Sequence, residues 1–214
     1  MTLEIIKKQL GCNITKRTGK PIYIVIHDTG NKNIGADAQR HFDYFNGGDR
    51  GASADFFVDD KIILQANDYH TYYTWHCGDG KGKYGITNGN SVGIEICINA
   101  DGDYKKAVEN AIALTKQLMD ELGITAKNVV RHYDASRKNC PASMTEDTWA
   151  DFKERLNMSK FKDIKNHYGE NHIKKLEDYG IINGDGNGNF NPDKPLTRGD
   201  GAIMLANALN VLGK

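Results

Sequence analysis

Three side chains far apart in the chain carry the chemistry. His27 closes the segment IYIVIH, and His132 and Cys140 lie together in RHYDASRKNCP. They offer two imidazoles and one thiolate. Three protein ligands and one open position are what a catalytic zinc requires, because water or substrate takes the fourth place. A structural zinc would want a fourth protein ligand, and none follows at finger-like spacing. The chemistry implied is metal-assisted hydrolysis. On the residues alone a blander reading also stands, because a histidine ending a buried strand often serves as a hydrogen-bonded core residue.

The elements around these residues must bring them together. Residues 22–27 are nearly continuous apolar and β-branched, which predicts a strand buried on both faces, with His27 at its carboxyl end. Open α/β sheets hold their sites at that end. Asp37 to Phe45 reads as a helix with Ala38, Phe42 and Phe45 on one face and Gly47-Gly48 as its stop. ADFFVDDKIILQ reads as a hairpin turning at Asp59-Asp60-Lys61. Residues 69–90, rich in glycine and aromatics, are expected to form a long functional loop, with Trp75 and His76 bordering a cleft.

VGIEICI alternates cleanly, with Val92, Ile94, Ile96 and Ile98 on one face and Glu95 and Cys97 on the other. Glutamate is out of place in such a strand. Tyr104–Leu122 is a long amphipathic helix ended by Gly123, burying Val108, Ala111, Leu114 or Thr115, Leu118 and Leu122. NVVRH is expected to be a short strand delivering His132. Ser143 and Glu146 suit a capping box for a last helix carrying Trp149, Phe152 and Leu156.

Bulk properties narrow the function. The 214 residues include 28 basic and 28 acidic side chains, so nothing suggests a phosphate-binding surplus or nucleic acid as partner. The apolar runs are too short for a membrane helix. MTLEIIKKQLGCN lacks the apolar stretch of a signal peptide. Cys12, Cys77, Cys97 and Cys140 show no paired spacing and are expected to be free thiols. A change of texture near Asn157–Lys160 divides residues 1–157 from a tail, 158–214. The tail reads as helix (172–179), glycine-rich turn (184–190) and helix (198–212).

IVIHDTG, SADFFVDD, HCGDG, NSVGIEICIN and RHYDASRKNCP occur in that order. Together, over about residues 20–157, they resemble the zinc-dependent N-acetylmuramoyl-L-alanine amidases of the amidase-2 family, which includes phage endolysins, autolysins and peptidoglycan-recognition proteins. The resemblance implies an α/β fold with a mixed central sheet flanked by helices. It also implies cleavage of the amide between N-acetylmuramic acid and the L-alanine of the peptidoglycan stem. It sets His27, His132 and Cys140 on the zinc positions, Glu95 as the proton-transferring base, and Lys138 as a cation stabilising the oxyanion. Some members use a tyrosine in the first hairpin strand; Ala52–Phe56 holds none, which leaves Glu95 as the base. Asp28 and Asp55 stand where relatives often carry histidine, or histidine or asparagine.

The tail, from FKDI to LTRGDGAIMLANAL, resembles one surface-layer-homology repeat, a small all-α module. The resemblance implies binding to a secondary cell-wall polymer, with Arg198 gripping an anionic sugar, and it admits self-association through the tail. Asp185–Asn189 mimics the start of an EF-hand, but Phe190 and Leu196 break that pattern. A wall-lytic enzyme without a signal peptide would act at the wall after holin-mediated release. The competing readings are a peptidoglycan-binding protein without activity and a cytoplasmic muropeptide-recycling amidase. An intact ligand set with Glu95 argues against the first, and a wall-binding tail against the second.

Overall fold

The apolar run ending at His27 becomes an inner strand of a six-stranded mixed sheet in the computed structural model, which describes residues 5–159 and 161–213. The strands are β1 (Ile5–Lys7), β2 (Ile14–Lys16), β3 (Tyr23–Asp28), β4 (Phe56–Val58), β5 (Ile63–Gln65), β6 (Tyr72–Thr74), β7 (Ser91–Ile96) and β8 (Val129–Arg131). The helices are α1 (Ala38–Asn46), α2 (Tyr104–Leu122), α3 (His132–Ser136), α4 (Glu146–Leu156), α5 (Glu170–Asp178) and α6 (Arg198–Val211). The chain divides into two units, Met1–Leu156 and Asn157–Lys214. Lys160, at the end of the expected boundary, lies outside the described residues.

The sheet order is β1-β5-β4-β7-β3-β8, and only the β4–β5 hairpin is antiparallel. β3 is buried on both faces, which is why its sequence is apolar without alternation. Ile24 and Ile26 join Val92, Ile94 and Ile96 of β7 against α2 and α4, where Ala111, Leu114, Leu118, Phe152 and Leu156 pack. On the opposite face Phe57 and Leu64 meet Ala38 and Phe42 of α1, while Val25 meets Cys77, Ile86 and Ala135. Burying side chains of this size contributes about 1.5–3 kcal/mol each.

Register does the functional positioning. His27 pairs with Glu95, and Ile26 pairs with Arg131. Parallel neighbours in register share a face. His27, Glu95 and the residue after Arg131 therefore stand side by side at the carboxyl ends of three adjacent strands.

The long α2 helix has the expected bounds. Asp103 caps its start by accepting from Lys106 N, and Gly123 ends it with φ +67, a conformation that favours glycine. Three expectations need correction. Residues 69–90 are not all loop, because Tyr72–Thr74 pairs with β2 in a separate two-stranded ribbon. Arg17 anchors this region through carbonyls of Tyr69, Gly89 and Ser91 at 2.6–2.9 Å. Ser143 does not cap α4; its N–H donates to Asp28 Oδ2 at 2.7 Å, and Thr145 Oγ1 accepts from Thr148 N instead. His132 does not end a strand but opens α3, since the chain turns helical directly after Arg131.

Asp55 is fully buried and accepts from Asn67 Nδ2, Thr74 Oγ1 and Gly93 N at 2.7–2.9 Å. It fastens the ribbon to β7. Burial pushes its pKa up, against those three donors and the more distant Arg17.

The second unit is helical among its described residues. Phe161, Ile164, Ile173 and Ile182 form its small core. Thr197 Oγ1 caps α6, accepting from Asp200 N and donating to Asp200 Oδ2. The LTRGD signature is thus a helix start, with Arg198 exposed at the first position. Asp185 is turned inward on its own loop, accepting from Asn187 N and Asn189 N.

Candidate metal centre and its flanking cavities

One ligand atom each from His27, His132 and Cys140 lies within 4.8 Å of the others, and all three residues are buried. β3 supplies the first, the start of α3 the second. The loop after α3 folds back because Arg137 turns with φ +71 and Tyr133 N donates to the Cys140 carbonyl at 3.0 Å. Ser143 N on Asp28 then ties the following residues to the end of β3.

Hydrogen bonds fix which nitrogen of each imidazole faces the cluster. The Thr87 carbonyl can only accept, so the Ser91 hydroxyl donates to it, at 2.5 Å. Ser91 Oγ then accepts from His76 Nε2 at 3.1 Å, which leaves His76 Nδ1 to accept from His27 Nε2 at 3.0 Å. The lone pair of His27 is left on Nδ1, facing Cys140 Sγ at 3.8 Å and Glu95 Oε1 at 3.9 Å. His132 is oriented likewise by Asp79, whose Oδ1 lies 2.7 Å from Nε2 while Ser136 Oγ holds Oδ2. Such outer partners set tautomer and ring orientation in metal sites.

The donors suit zinc. Nitrogen and sulfur ligands on one tetrahedral zinc stand about 3.5 Å apart, close to the 3.8 Å between His27 Nδ1 and Cys140 Sγ. Burial, with the nearby His76, His132 and Lys138, pushes His27 well below its ordinary pKa, so the ring is neutral and can donate its lone pair. Burial and the Glu95 charge push the Cys140 thiol up to about 12. A cation at the cluster reverses that by stabilising the thiolate.

Glu95 lies beside the cluster, its Oε1 3.9 Å from His27 Nδ1. Its Oε2 is buried without a hydrogen-bond partner. Burial, then the Asp28 charge, push its pKa up to about 8, with Lys138 pulling the other way. Lys138 itself is exposed.

Two cavities flank the cluster. One, of about 470 Å³, is lined by Tyr73, Trp75, His76, Asp79, His132 and Lys138 among others. The other, of about 380 Å³, is lined by Glu95, Thr29 and α1. Trp75 is half exposed in the first, its Nε1 donating to Thr15 Oγ1. His76 borders the same cavity, but both its nitrogens are committed to His27 and Ser91. Its ring lies against Gly93, where an added Cβ would come within 2.6 Å of it. Asp79 and Ser91 escaped the sequence reading. The signal for Asp79 was its place in HCGDG, a carboxylate two residues after a buried thiol. Arg198 belongs to the second unit.

Comparison with known proteins follows the same lines. Residues 160–200 match the S-layer homology domain. The amidase XlyA of Bacillus subtilis (strain 168) is 46% identical over 133 residues, covering 62% of this chain and 43% of the relative. The amidase CwlH of the same organism is 40% identical over 139 residues, covering 65% and 54%. The chain spans about half the length of these curated relatives. The solved catalytic domain of XlyA superposes with a TM-score of 0.63 at 42% identity, covering 72% of this chain and 99% of that one. PlyL gives 0.61 at 34%, covering 72% and 97%. The sequence model described as N-acetylmuramoyl-L-alanine amidase matches residues 17–143, and the chain belongs to that family.

Proposed function

We propose that the chain hydrolyses the amide between N-acetylmuramic acid and the L-alanine of the stem peptide, using zinc held by His27, His132 and Cys140. The observation carrying this reading is the cluster of three buried donors, His27, His132 and Cys140, beside the buried Glu95 Oε2, which has no hydrogen-bond partner. When bound, zinc would polarise the amide carbonyl and acidify a bound water. Glu95 takes the proton from the attacking water as the new C–O bond forms, and returns it to the nitrogen as the C–N bond breaks. The Lys138 ammonium opposes the charge developing on the carbonyl oxygen. Trp75 offers an aromatic face to the glycan.

The second unit directs this activity to the wall of a Gram-positive cell, with Arg198 pairing an anionic secondary polymer. Self-association through this unit would multiply a weak single contact. The family match and the S-layer homology match support action at the cell wall. No described helix is long and apolar enough to cross a membrane.

The test is incubation with Gram-positive walls and titration of new L-alanine amino groups. Their appearance, abolished by chelation and restored by zinc, is the expected result; release that survives exhaustive chelation rejects the metal mechanism. In the same assay Arg198→Ala weakens pelleting with walls while cleavage of soluble muropeptides stays unchanged. Unchanged pelleting removes Arg198 from wall binding.

A further inference from the structure

The balance of 28 basic against 28 acidic side chains conceals a local surplus in the first unit. Lys81, Lys83, Arg137 and Lys138 are all exposed and form no ion pair among the described residues, whereas Arg131 is spent on Asp134 and Glu146. The four cations come from two segments remote in sequence. A glycine joins them: a Cβ on Gly80 would come within 2.1 Å of the Ala135 carbonyl oxygen, so glycine is what lets the turn Gly78–Gly80 lie on α3. Lys81 and Arg137 each close one of these short helices in the left-handed conformation, with φ +49 and +71. Glycine or asparagine is favoured at such a position. Helices of three and five residues have little dipole for a cation to offset, so capping alone does not account for two basic residues there.

Two exposed aromatic rings hold the cations in place. The Arg137 guanidinium lies 4.1 Å from the Tyr84 ring centroid and 5.1 Å from that of Tyr133, and Lys83 Nζ lies 5.3 Å from Tyr84. The rings already carry cations, so this face reads negative charge rather than the apolar face of a sugar. Residues 79–85 and 133–139 expose no aliphatic side chain, which leaves nothing to insert into a membrane. Duplex nucleic acid, with one charge per about 1.7 Å, asks for a longer basic face than these few residues give. A flexible chain with one phosphate per repeat fits a compact patch, each phosphate taking an ammonium or the guanidinium fork. Lys138 belongs both to this patch and to the lining of the cavity beside His132, so the two adjoin.

We infer that Lys81, Lys83 and Arg137, braced by Tyr84 and Tyr133, form a binding face for the polyol-phosphate chains of the cell wall. The choice of a wall polymer among flexible phosphodiesters rests on the wall-directed reading above. It gives the first unit a wall contact of its own, independent of Arg198 and separate from cleavage.

The test titrates the full chain with fluorescently labelled poly(glycerol phosphate) at several salt concentrations. The native chain is expected to bind, more weakly as salt rises. Lys83→Gln with Arg137→Gln, both exposed changes, lowers affinity by about tenfold and flattens the salt dependence. Cleavage of soluble muropeptides stays unchanged in that variant, and Arg198→Ala keeps the native affinity for the polymer. The charge-preserving pair Lys83→Arg with Arg137→Lys retains binding to within about threefold. Absence of binding by the native chain, or full affinity in the glutamine variant, overturns the inference while muropeptide cleavage, measured separately, still decides the amidase reading. Loss of binding in the charge-preserving pair equal to that in the glutamine variant makes the effect one of shape and overturns it too. Tighter binding to phosphatidylglycerol vesicles or to single-stranded DNA than to the polymer assigns the face to another partner and likewise overturns it.

Discussion

Glu95→Gln lowers kcat by about 10³-fold, within the 10²–10⁴ that a positioned proton carrier contributes, and leaves the metal content unchanged. Glutamine fills the same space but can neither take a proton from water nor return one to the amine. The native rate rises with pH as Glu95 loses its proton. Burial and the Asp28 charge set that step at about 8 in the metal-free chain, above the ordinary 4.5. A cation at the neighbouring ligands stabilises the carboxylate and brings the step down between those two values. The acidic limb of kcat/KM belongs in that interval, and it disappears in the variant.

Stability moves the opposite way. In the metal-free chain the folded form keeps the Glu95 proton up to about 8, whereas the unfolded form releases it near 4.5. The native state therefore binds more protons between these values, and stability falls as pH rises through them. Glu95→Gln escapes that loss, so its melting temperature exceeds that of the native chain by a margin that grows across the interval. A flat margin overturns the raised proton affinity of Glu95, and full turnover in the variant removes it from the role of base.

The parts of this site that long regular elements carry were legible in the sequence. The apolar run before His27, the alternation around Glu95 and the capped helix Tyr104–Leu122 each extend over enough residues for periodicity to speak. β2 and β6 do not, at three residues each. Their ribbon is held by Arg17, Asn67 and Asp55, whose partners are remote in sequence. The same limit hid the outer partners of the ligands. Asp79 meets His132 and His76 meets His27 only because the region after β6 folds onto β7 and α3. Spacing placed His76 near a cleft but could not show that Ser91 and His27 use both its nitrogens. The capping residue of α4 was misread as well. Ser143 fits a local capping pattern, but the helix starts at Glu146 and Thr145 takes the capping place, its Oγ1 accepting from Thr148 N.

That shell of outer partners makes metal binding the second property on which the reading depends. Cys140→Ser keeps the shape of the loop and replaces a soft thiolate with a protonated hydroxyl. If four-coordinate zinc binds with roughly 10–16 kcal/mol, one ligand accounts for about 3–4 kcal/mol, and affinity falls by ~10²–10³-fold. Competition with a chromophoric chelator measures this without reference to turnover. A second readout is thermal: a metal that binds only the folded chain raises its melting temperature, so chelation lowers that temperature in the native protein and barely moves it in the variant. His76→Leu and Asp79→Asn keep all three donors and lose only what orients His27 and His132. They are expected to weaken zinc by about 10–100-fold, the cost of losing an outer partner. The order matters more than any single value. If His76→Leu binds zinc as the native chain does, the Thr87–Ser91–His76 chain does not set the His27 tautomer. If Cys140→Ser binds as tightly as the native chain, the thiolate is not a ligand and the three-donor centre is wrong.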